Sequence, residues 1–183
     1  MKIGIVADTH GSLAGWERAW ELLKDSDVLF HCGDLLYHGP RFQPGPSYNP
    51  KALAEALNAC PVPLIVARGN GDSEVDALFV HAPIQSPYAF AQIEGVRFLA
   101  THGHLETLAK TIENARRWQI GYLLTGHLHV PSVIRHGDLV HINPGTTTYP
   151  LAKEERLAIP TCAAVVEGEV RVYALETGRA MEV

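Results

Sequence analysis

Five short apolar runs in this chain each break off at a cluster of polar, metal-seeking side chains. Lys2–Ala7 leads into Asp8-x-His10, Val28–Cys32 into Gly33-Asp34, and Val62–Arg68 into Gly69-Asn70-Gly71-Asp72. Val96–Thr101 leads into His102-Gly103-His104, and Ile120–Thr125 into Gly126-His127-x-His129. The runs are five to seven residues long and bounded by Gly, Asp, Asn or His, which predicts strands. They are nearly continuous in apolar character rather than alternating, as strands buried on both faces are. Ligands in open α/β sheets gather beyond the carboxyl ends of the strands. Five strand ends are therefore expected to deliver their polar residues to one crevice.

Helical patterns lie between the strands. Ser12 reads as an N-cap ahead of Leu13, Trp16, Trp20 and Leu23, which recur at helical steps. Asn49-Pro50 reads as a cap and first helical position, opening a helix over Lys51–Ala59. Leu105, Leu108, Ala109, Ile112 and Ala115 form a third stripe. Three hairpins are expected, over Tyr88–Thr101, Ser132–Ile142 and Thr161–Leu175, turning at Glu94-Gly95, Gly137-Asp138 and Gly168. The order is βαβα first and antiparallel strands later, which points to an α/β layered domain with mixed sheets. The Pro-rich segment Gly39–Pro50 reads as a loop, and long loops inside compact domains are often functional.

The 183 residues suit a single domain over 1–183, large enough to bury a core without disulfides. A net charge of −5 argues against a grip on long nucleic acid. No apolar stretch is long enough to span a membrane. Cys32, Cys60 and Cys162 show no paired spacing and read as packing residues. The N-terminal apolar run is too short for a signal-peptide core, so a reducing, cytoplasmic setting is expected.

The side chains at the five strand ends are imidazole, carboxylate and amide, without thiolate. Such donors suit manganese, iron, zinc and related divalent ions. Seven groups are too many for one tetrahedral site, but suit two adjacent ions that share a carboxylate.

D-x-H, G-D, G-N, H and G-H-x-H in this order resemble the signature of the calcineurin-like metallophosphoesterase superfamily. Gly33–Gly39, Gly69–Asp76, Thr101–Leu105 and Gly126–Pro131, with Asn143-Pro144-Gly145, are similar to its small bacterial YfcE-type phosphodiesterases. The resemblance implies a four-layer αββα sandwich with two mixed β-sheets. It implies one divalent ion held by Asp8, His10, Asp34 and His129, and a second held by Asp34, Asn70, His102 and His127. The ions would be manganese, with iron, zinc, nickel and cobalt admitted by the same ligands. The implied activity is hydrolysis of a small phosphodiester by a hydroxide shared between the two ions. Relatives of this type commonly self-associate, which leaves a homo-oligomer open.

One position departs from the pattern. The wider family reads G-N-H-[DE] at the third cluster, and this chain has Gly71 in place of the His. His38, four residues after Asp34, is the expected substitute. Oriented by Asp72, it would contact the phosphate and donate the proton. His38, Asn70 and Asp72 are thus the expected catalytic set, with His38 and Arg41 touching substrate. His104 is divided between supporting the metal ligands and plain packing. His31 is expected to pack inside a strand, Trp16 and Trp20 in the core. Arg68 either bridges strands or approaches the site. Two rivals accompany the diesterase reading: a phosphomonoesterase or nucleotidase, and a binding scaffold like the phosphoesterase-like retromer subunit.

Overall fold

The computed structural model describes residues 1–183. Twelve strands form two mixed sheets. Four parallel strands head the first: β1 (Lys2–Val6), β2 (Val28–His31), β3 (Leu64–Ala67) and β4 (Ile84–Gln85). Antiparallel β10 (Thr161–Val166), β11 (Glu169–Ala174) and β12 (Ala180–Met181) continue it beyond β1. The second sheet runs β5 (Ala89–Ile93), β6 (Val96–Ala100), β7 (Tyr122–Leu124), β9 (Leu139–Pro144) and β8 (Pro131–His136). Its inner strands β6, β7 and β9 are parallel, and its two edges are antiparallel.

The strand pattern fixes the layers. Ile3 and Ile5 of β1, with Ala7 just beyond it, point between the sheets, where they meet Phe30, Phe98, Leu124 and Ile142. Val6 points the other way, toward α1 (Leu13–Leu23) and α2 (Pro50–Asn58), into a core with Trp16, Leu23, Leu53 and Leu57. Both faces of the strand are buried, which accounts for its unbroken apolar run. The third helix, α3 (Leu108–Arg117), closes the outer face of the second sheet over Leu99, Leu123 and Leu139. The result is helix, sheet, sheet, helix, in the expected four layers.

Side-chain caps set the helix starts. Ser12 Oγ accepts from Gly15 N–H, and Asn49 Oδ1 from Ala52 N–H, with Pro50 at the first helical position. Thr107 caps α3, so that helix opens at Leu108. Leu105 lies outside it and is exposed, and Leu108 is exposed as well. The apolar stripe expected from Leu105 therefore starts only at Ile112. Short helical turns at Asp76–Leu78 and Glu155–Leu157 complete the chain. His31 and Trp16 are buried and Trp20 is partly so, while Cys60 is only half-buried beside buried Cys32 and Cys162.

Candidate metal centre

The segments that follow β1, β2, β3, β6 and β7 meet at one end of the two sheets. Two compact groups of donor atoms form there, Asp8 with His10 and His129, and Asp8 with Asp34 and His102. His129 Nε2 is 3.2 Å and His10 Nε2 3.8 Å from Asp8 Oδ1. Asp8 is common to both groups, and Asp34 of the second reaches toward the first: Oδ2 lies 3.7 Å from His10 Nε2, and Oδ1 lies 3.4 Å from His102 Nε2. Asn70 Oδ1 approaches His102 Nε2 to 3.1 Å. His127 sits at the rim, exposed, with its ring 5.1 Å from that of His102. It belongs to neither compact group.

Backbone carbonyls decide which ring nitrogens face inward. His10 Nδ1 lies 2.7 Å from Tyr37 O, His102 Nδ1 2.7 Å from Cys32 O, and His129 Nδ1 2.6 Å from Tyr149 O. A carbonyl only accepts, so each Nδ1 carries the proton and donates it. In the neutral ring this leaves every Nε2 with a bare lone pair turned into the centre. His10 Nε2 and His129 Nε2 then stand 3.1 Å apart, with nothing to donate between them. Asp8 Oδ1 is buried beside them and accepts no hydrogen bond, although Asp8 Oδ2 takes the backbone N–H of His127. A buried orphan carboxylate oxygen and converging lone pairs cost free energy unless positive charge sits among them. The donor set fits divalent cations on both counts. Ring donors locked by hydrogen bonds at the far nitrogen are also how protein ligands are oriented toward metals.

Electrostatics carry the same mark. Burial works against a charge on His102, but Asp34 and Asp8 outweigh it and raise its pKa to about 9. His129 is raised as well, with Asp8 and Tyr149 overcoming burial. Burial also works against the charge on Asp34, but His102 and the Gly71 N–H hold its carboxyl well below the usual range. Burial lowers His10, His127 and His104. Without metal, protons on the raised imidazoles supply the positive charge the carboxylates require.

The backbone is strained where the donors sit. Asp8, His10, Asp34, His127 and His129 all have positive φ, between 45° and 69°. The other non-glycine residues in that region, Glu94, Gln119 and Glu167, occupy hairpin turns or follow a helix. Left-handed backbone outside turns costs on the order of 1–3 kcal/mol per residue and persists where surroundings over-determine it. Here the surroundings are hydrogen bonds from His10 N to Asp34 O at 3.0 Å and from Thr146 Oγ1 to Asp8 O at 2.8 Å. Gly69 is part of the same frame. A Cβ there would stand 2.1 Å from Asp34 Oδ1 and 2.2 Å from Asp34 N.

Asp72 requires a correction. It does not face the cavity or reach His38. The side chain is buried, with Oδ2 accepting from Asp34 N–H at 2.9 Å and Gly69 N–H at 2.7 Å, and Oδ1 from Leu35 N–H at 2.7 Å. Burial raises its pKa to about 6 against those three amides. Arg68 reaches the same segment, donating from Nε to Asp72 O at 3.0 Å. Asp72 thus positions two loops of the centre and has no route to a leaving group.

A cavity of about 380 Å³ opens over the donors, lined in part by His38, Arg41, Asn70 and Gly71. His38 is wedged edge-on between Tyr37 and Tyr48, with Nδ1 buried and unpartnered. Arg41 is exposed at the mouth, its guanidinium 5.7 Å from the centre of the Phe42 ring. Phe42 stacks on Tyr149 at 4.3 Å and on His129 at 5.4 Å, pinning the Pro-rich loop beside the donors. His104 lies 5.3 Å from His102, ring to ring, and its Nδ1 is also unpartnered. Sequence reasoning passed over Phe42, Tyr149 and Thr146. Only Phe42 carried a signal, as an aromatic in the flagged loop; Thr146, through its hydroxyl, and Tyr149, through its ring and carbonyl, lie outside every motif.

A family model described as the calcineurin-like phosphoesterase superfamily domain matches residues 1–167. The chain is 39% identical over 155 residues to phosphodiesterase YfcE of Escherichia coli strain K12, covering 82% of this chain and 81% of that one. Phosphodiesterase MJ0936 of Methanocaldococcus jannaschii is 28% identical over 155 residues, covering 79% and 83%. The solved structure of the phosphoesterase YfcE from E. coli superposes with a TM-score of 0.84 at 30% identity, over 100% of this chain and 97% of the other. Vps29 of Chaetomium thermophilum shares the fold at a TM-score of 0.70 and 16% identity, over 99% and 95%. No helix is long and apolar enough to cross a membrane.

Proposed function

The chain belongs to the calcineurin-like phosphoesterase superfamily, and on that premise we propose that it is a metal-dependent phosphodiesterase working with two divalent ions, most simply manganese. It hydrolyses phosphoesters, and a small phosphodiester is the substrate class that best fits its cavity. The observation that carries the reading is the 3.1 Å approach of two imidazole lone pairs beside an orphan carboxylate oxygen. Asp8, His10, Asp34 and His129 would hold one ion; Asp34, Asn70, His102 and His127 would hold the other. The two oxygens of Asp34, one turned to His10 and the other to His102, support its sharing by both ions. Two adjacent divalent ions would supply Lewis acidity and a deprotonated water at neutral pH, the two requirements of in-line phosphoryl transfer.

The remaining residues orient and screen. Tyr37, Cys32 and Tyr149 hold the imidazole tautomers through their carbonyls. Arg41 and His38 line the cavity mouth and would meet the non-bridging oxygens, His38 by a hydrogen bond and Arg41 with a fixed positive charge that follows the charge developing on the phosphoryl group. One permanent cation in the lining suits a diester monoanion better than a monoester dianion, which favours the diesterase over the nucleotidase reading. The complete donor set disfavours a scaffold role as the sole function. The reading treats residues 1–183 as one domain, and three free thiols support a cytoplasmic setting.

Metal analysis of the purified protein, followed by hydrolysis of bis(4-nitrophenyl) phosphate and 4-nitrophenyl phosphate with added manganese, tests this. The diester should turn over at least tenfold faster, and a chelator should abolish both rates. Faster monoester turnover would overturn the diesterase reading. No manganese binding by calorimetry would restore the scaffold.

A further inference from the structure

A second cavity, of about 720 Å³, lies against the first. Tyr37 and Gly71 line both, so the two adjoin along a shared edge where Gly71 offers no side chain. Its walls are Leu36, Tyr37, Tyr48, Pro50, Val75 and Phe79. Most of them are not core residues. Tyr37 is 45% exposed, Phe79 52% and Val75 57%, an unusual concentration of large apolar side chains in water.

The apolar wall is built and held. Asp76 Oδ2 accepts from Ser73 N–H at 2.7 Å and opens the short helical turn that carries Val75 and Phe79 at its two ends. Asn58, at the end of α2, ties that turn down: its Nδ2 donates to Phe79 O at 2.6 Å, and its Oδ1 accepts from His81 N–H at 2.8 Å. On the opposite side Tyr48 is fixed against His38, with ring centres 4.8 Å apart. Charge at the cavity is balanced, with Lys51 and Asp76 among its lining residues. It therefore holds no field that would draw in an anion. Concave, largely apolar and next to polar chemistry, it has the form of a small-molecule subsite.

A phosphodiester has a charged centre and two ester arms. The smaller cavity, rich in imidazole, carboxylate and amide groups, suits the phosphate. An arm leaving that centre past Gly71 would point toward the larger cavity. We propose that this second cavity binds one ester arm of the substrate, and that the arm is uncharged and aromatic or otherwise apolar. Val75 and Phe79 are its specificity-determining walls, and Gly71 is the passage between arm and phosphate. The inference rests on the phosphodiesterase reading for the position of the phosphate.

Two measurements test it on manganese-loaded protein. The first compares kcat/KM for bis(4-nitrophenyl) phosphate and methyl 4-nitrophenyl phosphate, which share a leaving group but differ in the second arm. Val75→Lys and Phe79→Ala should each lower the bis-aryl value at least tenfold more than the methyl value, mainly through KM. Taking variant-to-native ratios for each ester removes the intrinsic reactivity difference between them. The second is calorimetric binding of diphenyl phosphate against dimethyl phosphate. The native protein should bind the diphenyl ester at least tenfold tighter, and both variants should erase that preference. Both side chains are more than half exposed, so circular dichroism should show intact folds.

Equal losses on both esters, or equal binding of the two phosphates, would overturn the arm subsite while leaving the diesterase reading in place. The converse result is distinct: no turnover of either ester, with a Val75-dependent preference for diphenyl phosphate, would sink the catalytic reading and retain the subsite. Self-association abolished by Val75→Lys, with diphenyl phosphate binding unchanged, would reassign the cavity to contact between copies of the chain and overturn the proposal.

Discussion

Asp72 Oδ2 accepts the backbone N–H of Asp34 at 2.9 Å, so a carboxylate that never enters the cavity sets the pose of one that faces both His10 and His102. The same side chain takes the amides of Gly69 and Leu35, joining the segments after β2 and β3. An amide in its place would present an NH2 group to one of those N–H donors. Asp72→Asn should therefore destabilise the fold by about 1–3 kcal/mol and weaken manganese binding roughly 10- to 100-fold. Calorimetry and chemical denaturation measure both. Its kcat should fall by a similar factor for aryl esters of acidic and weakly acidic phenols, because positioning is indifferent to the leaving group. A loss confined to the poor leaving group would instead mean that Asp72 serves a proton donor.

Metal removal should be visible without any substrate. Nε2 of His10 and Nε2 of His129 face each other at 3.1 Å, and five residues of the centre hold strained backbone. A cation that binds only the folded state stabilises by about 2.7 kcal/mol at a hundred times its dissociation constant. For a chain of this length that is a rise in Tm of roughly 5–10 °C. Manganese should produce it, and a chelator should reverse it. His129→Ala should cancel most of the rise, and it should also lower the metal-free Tm, since it removes a buried ring that donates to Tyr149 O, stacks on Phe42 and supplies positive charge beside Asp8. A manganese-induced rise as large in that variant as in the native protein would show that the imidazole packs rather than ligates.

Gly69 tests the close approach behind the centre. A methyl group would fall 2.1 Å from Asp34 Oδ1, so backbone or carboxylate must move. Gly69→Ala should cost about 2–3 kcal/mol, and manganese affinity should fall with it, because the atom displaced belongs to Asp34. An alanine variant with native metal affinity and Tm would rule out this packing.

The strand ends were legible because β1, β2, β3, β6 and β7 are apolar on both faces and then change character abruptly. The hairpins were legible from Glu94-Gly95 and Gly137-Asp138, where turn chemistry is local. Two-residue strands such as Ile84–Gln85 leave no periodicity to read. Leu105 misled because an exposed leucine before a cap has the same spacing as a core one. At the centre, side-chain identity named the donors, but the groups that aim them are carbonyls of Tyr37, Cys32 and Tyr149, which every residue possesses. Asp72 was misassigned for the same reason: its partners are backbone amides supplied by the fold.

Stability should fall as the solution is acidified through the range below pH 6.5, and His141 should be one identifiable cause. Its side chain is buried in β9, with Nε2 2.8 Å from Thr125 Oγ1 and Nδ1 without a partner. Burial, with a smaller contribution from nearby His136, lowers its pKa from 6.5 to about 4. Burial does the same to His31, to about 4, and there Gly33 N–H donates to Nδ1 at 3.2 Å and holds that nitrogen deprotonated. Between pH 6.5 and 4 the unfolded chain takes up protons that the folded chain refuses, so each group favours unfolding as pH drops. The contribution is complete above pH 6.5, is lost on the way down to about pH 4, and is on the order of 3 kcal/mol for each group. His141→Asn removes one such group. In metal-free protein near pH 5, unfolding free energy should rise with pH more steeply in the native chain than in the variant, by up to about 1.4 kcal/mol per pH unit. Taking that difference cancels the titration of the ligand histidines, which both proteins share. Coincident slopes would mean that His141 accepts its proton inside the folded structure.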